Sequence, residues 1–83
     1  MLLDTLDDRQ TYHKSTLLEV LKEIKKEHGD APIASSYKTI LRRERSRVSV
    51  YTNVVRDPVN GWRMYTGRMI RKIVAWELER KHL

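Results

Sequence analysis

The sequence predicts a mostly α-helical fold with a small β element, built from three to four helices of which the C-terminal one is long. Three observations predict it. Residues 16–28 and 67–81 each place apolar side chains at helical spacing. Between them, Asn60-Gly61 is a strong turn, followed by four residues, 62–65, that alternate in polarity as a strand does. At 83 residues the chain makes one domain, 1–83, with a small core, and it has no cysteine to add disulfides.

Taken in order, residues 1–14 read as a flexible arm. Leu2, Leu3 and Leu6 also allow a short helix capped by Asp4 or Thr5, or an arm that orders on dimerisation. Residues 16–28 follow as a scaffold helix. Thr16 and Glu19 fit a capping box, Leu17, Leu18, Val20, Leu21 and Ile24 share an arc of about 160°, and Gly29 is the stop. His28 extends the apolar stripe as a packed or interfacial histidine. Asp30-Ala31-Pro32-Ile33 is an extended connector, because proline disfavours helical geometry in the residue before it. Ser35 or Ser36 then caps a short helix through Arg43 or Glu44, with Tyr37, Ile40 and Leu41 as its stripe.

Residues 46–56 allow two assignments. On a helix of about 100° per residue, Val48, Val50, Tyr51, Val54 and Val55 share one side, and Ser46, Ser49, Thr52, Asn53 and Arg56 share the other. A strand over 48–55 suits the β-branched residues and the Asp57–Gly61 loop, but puts Tyr51 and Val55 on the polar face. The helix leaves no such exception and is preferred, ending before Pro58. Thr66 caps the last helix, in the range 67–82. Its apolar residues sweep about 200° and are interrupted by Glu77, wider than one small core uses. Met69, Ile73 and Trp76 therefore read as a candidate homodimer interface, with burial inside the monomer as the alternative.

Net charge is +6, unevenly spread. Residues 1–30 carry seven acids against five Lys and Arg; residues 31–83 carry four against twelve. Ten of the basic residues are arginine, suited to forked contacts with phosphate and guanine. Catalysis finds little support, since His13, His28 and His82 are scattered, no metal-ligand spacing or Gly-rich phosphate loop occurs, and Asp7-Asp8 has no evident partner. The reading is a non-enzyme with no cofactor, no metal and no small-molecule ligand. No run reaches the roughly 20 apolar residues of a membrane span. Met1-Leu2-Leu3-Asp4 lacks the basic-then-apolar order of a signal peptide. The expected location is cytoplasmic, nucleoid-associated or, for a viral protein, in the host cytoplasm.

In spacing and residue class the chain resembles the winged helix-turn-helix family of DNA-binding domains. Residues 32–41 look like the first helix of the motif with its approach, residues 46–56 like the second, and Asn60-Gly61-Trp62-Arg63-Met64 like the step into a β wing. The family usually has an apolar residue where Asp57 falls, and a wing of two strands where only 62–65 is obvious; a second strand at 68–71 would shorten the last helix. If residues 48–55 instead pair with 62–66, the segment from Arg56 to Ile73 resembles the wing and following helix of MerR or phage excisionase proteins.

The resemblance implies a homodimeric, sequence-specific binder of double-stranded DNA, a transcription regulator of viral, plasmid or mobile-element type. An excisionase-type architectural role is the near alternative. A protein-interaction adaptor or antirepressor using residues 69–78 is the alternative from another class, and a small RNA-binding protein a third. On the preferred reading Ser49, Thr52, Asn53 and Arg56 face bases in the major groove. Lys38, Arg42, Arg43, Arg45 and Arg47 hold phosphates, and Arg63 and Arg68 make wing contacts.

Overall fold

The computed structural model describes residues 1–29 and 32–80, and helix α4 has six buried residues, more than any other element described. The chain runs through a 3-10 turn (Leu2–Thr5), β1 (Thr11–His13), α1 (Lys14–Glu27), α2 (Tyr37–Arg45), α3 (Ser49–Thr52), β2 (Val55–Arg56), β3 (Arg63–Thr66) and α4 (Gly67–Arg80). The strands form one antiparallel sheet in the order β1-β3-β2, with Tyr12 opposite Tyr65 and Val55 opposite Met64. This is the mostly helical fold with a small β element that the sequence predicts. No helix among the described residues is long and apolar enough to cross a membrane.

The first fourteen residues, expected as an arm, are built into the fold. Leu6 is buried, and Leu2 and Leu3 pack on the core. Arg71 on α4 holds the segment by donating to the carbonyls of Leu3 (3.0 Å) and Leu6 (2.7 Å) and by pairing with the Asp8 carboxylate. β1 then runs straight into α1, so the helix starts at Lys14, with His13 at its N-cap and no side-chain cap. The expected capping box is therefore absent from this terminus, because Thr16 already lies inside the helix. At its other end α1 stops as expected, with Gly29 in the left-handed region at φ 65°.

Helix α2 begins where a serine can cap it, the Ser36 hydroxyl accepting from the Thr39 amide at 3.3 Å. Its end is a Schellman turn. The Val48 amide reaches back to the Arg43 carbonyl (3.1 Å) and the Arg47 amide to that of Glu44 (3.0 Å), with Arg47 left-handed at φ 58°. Residues 46–48 are thus used to close α2, which corrects the helix expected over 46–56. Only Ser49–Thr52 is helical, a single turn, and Val55 and Arg56 already pair with β3. The strand alternative is likewise confined to those two residues. The face assignment over the first part holds: Tyr51 is buried, and Val48, Val50 and Val54 pack against the core.

The β2–β3 hairpin supplies the second strand that the sequence left open, and residues 68–71 are helix. Asp57 organises its loop. The Asp57 carbonyl accepts from the Gly61 amide (2.8 Å), and the carboxylate accepts from the Val59 amide (2.8 Å). In β3, Tyr65 points into the core. Thr66 then caps α4 as expected, its hydroxyl accepting from the Met69 amide at 3.1 Å. The expected end of that helix at Lys81 lies outside the described residues.

The wide apolar arc of α4 is used within the chain. Met69, Ile70, Ile73 and Val74 are buried, so Met69 and Ile73, expected at a dimer interface, face this protein's own core. Trp76 keeps part of its surface exposed.

Gly67, where β3 turns into α4, sits against the N-terminal segment. A Cβ there would overlap the Asp7 carbonyl oxygen and approach its carbon to 2.7 Å. The opposing atoms are backbone and cannot swing away. Gly67→Ala is therefore expected to lose stability by about 1–3 kcal/mol in urea unfolding, the usual cost of overpacking, because Gly67 is the first residue of α4 and the interior helix preference for alanine does not offset it.

Candidate functional site

The site is assembled around α3, and α3 is held by one buried cluster. Glu77 of α4 is 0% exposed. Its carboxylate accepts from Arg43 Nε at 2.7 Å and Nη2 at 3.4 Å, and from the Tyr51 hydroxyl at 2.8 Å. Arg43 belongs to α2 and Tyr51 to α3, so this carboxylate ties three helices together. Trp76 closes the cluster, edge-on to Tyr51 with ring centroids 6.1 Å apart and with the guanidinium of Arg43 5.2 Å from its ring centre. Burial, and then the negative charge of Glu77, push the Tyr51 hydroxyl well above its usual range, so it remains a donor.

These contacts divide the predicted phosphate-binding residues. Arg43 is withdrawn from that set, because its side chain is 14% exposed and is committed to Glu77. Lys38, Arg42 and Arg45 are exposed at i, i+4 and i+7 on the outer face of α2, a basic stripe roughly 10 Å long. Arg47 is exposed on the turn that follows.

The predicted base-facing residues also divide. Ser49, Thr52 and Asn53 are exposed on or just after α3, and the Thr52 hydroxyl donates to the Ser49 carbonyl at 2.9 Å. Arg56 is exposed too, but on β2 and not in the helix, where its guanidinium donates to the Gly61 carbonyl at 3.1 Å. Of the two expected wing arginines, Arg63 is half-buried and paired with Glu44 at 3.0 Å. Burial alone would lower the Arg63 pKa, but the attraction of Glu44, with help from Tyr37, outweighs it and raises it. Arg68 is not on the hairpin at all; it lies in the first turn of α4.

Two of these elements meet in a shallow concavity of about 270 Å³. Ser49, Val50 and Asn53 from the α3 side face Thr66, Arg68, Met69 and Lys72 from the end of β3 and the first turns of α4. Short hydrogen-bonding side chains thus stand across a groove from two cations, with no carboxylate among the lining residues. The sequence reading missed Lys72, although its place one turn after Arg68 was the signal for it. It also missed Glu77 as a structural anchor, reading it as a break in an apolar stripe. Among the described residues no three Asp, Glu, His or Cys side chains gather as metal ligands would.

Comparison with protein families, curated proteins and solved structures finds no match to this chain.

Tyr65 offers a separate check on the packing under the site. Its hydroxyl is buried without a hydrogen-bond partner among the described residues, and burial, then the neighbouring Tyr37 and Glu44, push its pKa up to about 12. A tyrosine whose folded pKa is raised favours the folded state fully below its unfolded pKa of about 10, and that contribution is lost as pH rises towards the folded value. Wild-type stability is therefore expected to fall between about pH 10 and 12. Tyr65→Phe is expected to be more stable at pH 7 by up to about 1 kcal/mol, since it removes an unpaired hydroxyl, and to show a shallower alkaline decline in urea titrations.

Proposed function

We propose that this fold is a winged helix-turn-helix and that the protein is a sequence-specific binder of double-stranded DNA, acting as a small transcription regulator. The observation that carries the reading is the groove between α3 and the start of α4, where Ser49 and Asn53 face Arg68 and Lys72. Amide and hydroxyl groups suit base edges, and flanking cations suit the phosphates on either side of a groove. Support also comes from the order of elements: α2, a tight turn, α3 and a two-stranded hairpin, followed by a long helix.

The roles follow the exposed residues. Ser49, Thr52 and Asn53 read bases, with Asn53 able to bond adenine through both donor and acceptor. Lys38, Arg42, Arg45, Arg47, Arg68 and Lys72 hold phosphates. Arg56 is a hairpin contact, whereas Arg43 and Arg63 serve the fold. Because α3 is one turn long, it presents few base-reading side chains, and phosphate contacts supply most of the affinity. The strand expected over 48–55 in the MerR or excisionase reading is limited to 55–56, paired with 63–64, so that reading keeps only its hairpin and following helix as support. The adaptor reading loses ground because its apolar face, residues 69–78, is largely spent in the core.

Six phosphate contacts predict that the log of affinity for random duplex falls with a slope of about 5 per log unit of salt, at about 0.9 for each phosphate. Lys72→Ala is expected to weaken all duplexes alike and lower that slope by about 1. Asn53→Ala is expected to cost about 1–3 kcal/mol on a site selected from random sequence and far less on random DNA. Fluorescence anisotropy at increasing salt measures all three; absence of duplex binding at low salt overturns the proposal.

A further inference from the structure

The loop between β2 and β3 is tightly fixed, yet it holds apolar side chains out in water. Besides the two bonds to Asp57 described above, the Asp57 amide donates to the Trp62 carbonyl (2.9 Å) and the Trp62 amide to the Asn60 side chain (2.9 Å). Gly61 takes the left-handed conformation the turn needs, at φ 72°. On this frame Trp62 is 62% exposed and Val59 92% exposed. Two large apolar side chains exposed on one ordered loop form the start of an apolar patch, and such patches, rimmed by polar groups, mark interaction surfaces.

What adjoins Trp62 indicates the partner. A concavity of about 360 Å³ opens beside it, lined by the rings of Trp62, His13 and Tyr37 and by Lys14 and Arg63. That volume lies at the small end of the range of about 300–1,000 Å³ typical of ligand sites. His13 braces the indole in a T-shaped contact, with centroids 5.9 Å apart, and the Lys14 ammonium stands 4.2 Å from the centre of the Tyr37 ring. No carboxylate is among the lining residues, so the chemistry is one of aromatic surface and positive charge. Such a site accepts a planar ring carrying an anionic group. A base within an intact duplex shows only its edge, whereas an unpaired base offers the face that an indole stacks on.

We infer that this cavity seats one unpaired nucleotide of a bound nucleic acid, its base stacked on Trp62 and its phosphate beside Lys14. This rests on the DNA-binding reading above but uses a surface different from the α3–α4 groove. It gives the protein a preference for duplexes with an extrahelical or locally opened nucleotide.

The test compares a fully paired duplex with the same duplex bearing one bulged thymidine, by fluorescence anisotropy at low salt, for the wild-type protein, Trp62→Ala and Trp62→Phe. The bulged duplex is expected to bind about ten-fold tighter to wild type, the scale of one base–aromatic stack. Trp62→Ala is expected to abolish that preference while leaving the paired duplex unchanged, and Trp62→Phe to retain most of it. Equal affinity of wild type for the two duplexes overturns the inference. So does a preference that survives Trp62→Ala, or a loss that falls equally on both duplexes. In each of those cases the DNA-binding reading stands, whereas failure of wild type to bind either duplex removes both.

Discussion

The buried carboxylate of Glu77 is the constraint on which the placement of α3 depends. An isolated helical turn is unstable in water, because nucleation fixes several residues for a single hydrogen bond. α3 has one turn and no side-chain cap, so its position must come from tertiary contact. Tyr51 supplies it, through its buried ring and through the hydroxyl that donates to Glu77. Arg43 pairs in turn with that carboxylate, and removing one partner of a buried ion pair costs several kcal/mol. The directional bonds fix which side of α3 faces out.

From that constraint follows a division of labour among the arginines that charge alone does not reveal. Arg43 pairs with Glu77, Arg63 with Glu44, and Arg71 ties the N-terminal segment to α4. The remaining cations of α2, of the turn and of the first turns of α4 stay exposed, and these are the ones the proposed function assigns to phosphates. Arg47 is notable among them. It sits at a left-handed position where glycine is usual, and an arginine there costs about 1 kcal/mol or more in backbone energy. Its backbone closes α2, while its side chain is exposed and suits the phosphate role proposed for it.

What was legible in the sequence was local. Ser36 and Thr66 cap the helices they were expected to cap, Gly29 ends α1, and Asn60-Gly61 turns the hairpin, because each signal and its structural effect lie within a few residues. What was not legible was the pairing of distant residues. β1 has only three residues, and its partner strand lies about fifty positions away, so no run of alternation announces it. Glu77 reads as a flaw in an apolar stripe until Arg43 and Tyr51, 34 and 26 residues earlier, are brought to it. The 46–56 segment predicts a helix because its apolar residues do share a face. The break came from the end of α2, where Arg47 adopts the conformation that a glycine would have signalled. The candidate site was legible to the same degree: Ser49, Thr52 and Asn53 lie exposed as expected, while Arg56 and Arg63 moved to other roles with the chain path.

The most direct test is a map of amide chemical-shift changes as the protein is titrated with a random-sequence duplex at low salt. If the surface shaped by the Glu77 cluster meets DNA, the largest changes will fall at Ser49, Thr52, Asn53, Arg68 and Lys72, with lesser ones along Lys38, Arg42 and Arg45. The outer face of α1, around Lys22 and Lys26, will stay still. Changes concentrated on α1, with the α3–α4 groove unaffected, would contradict the account.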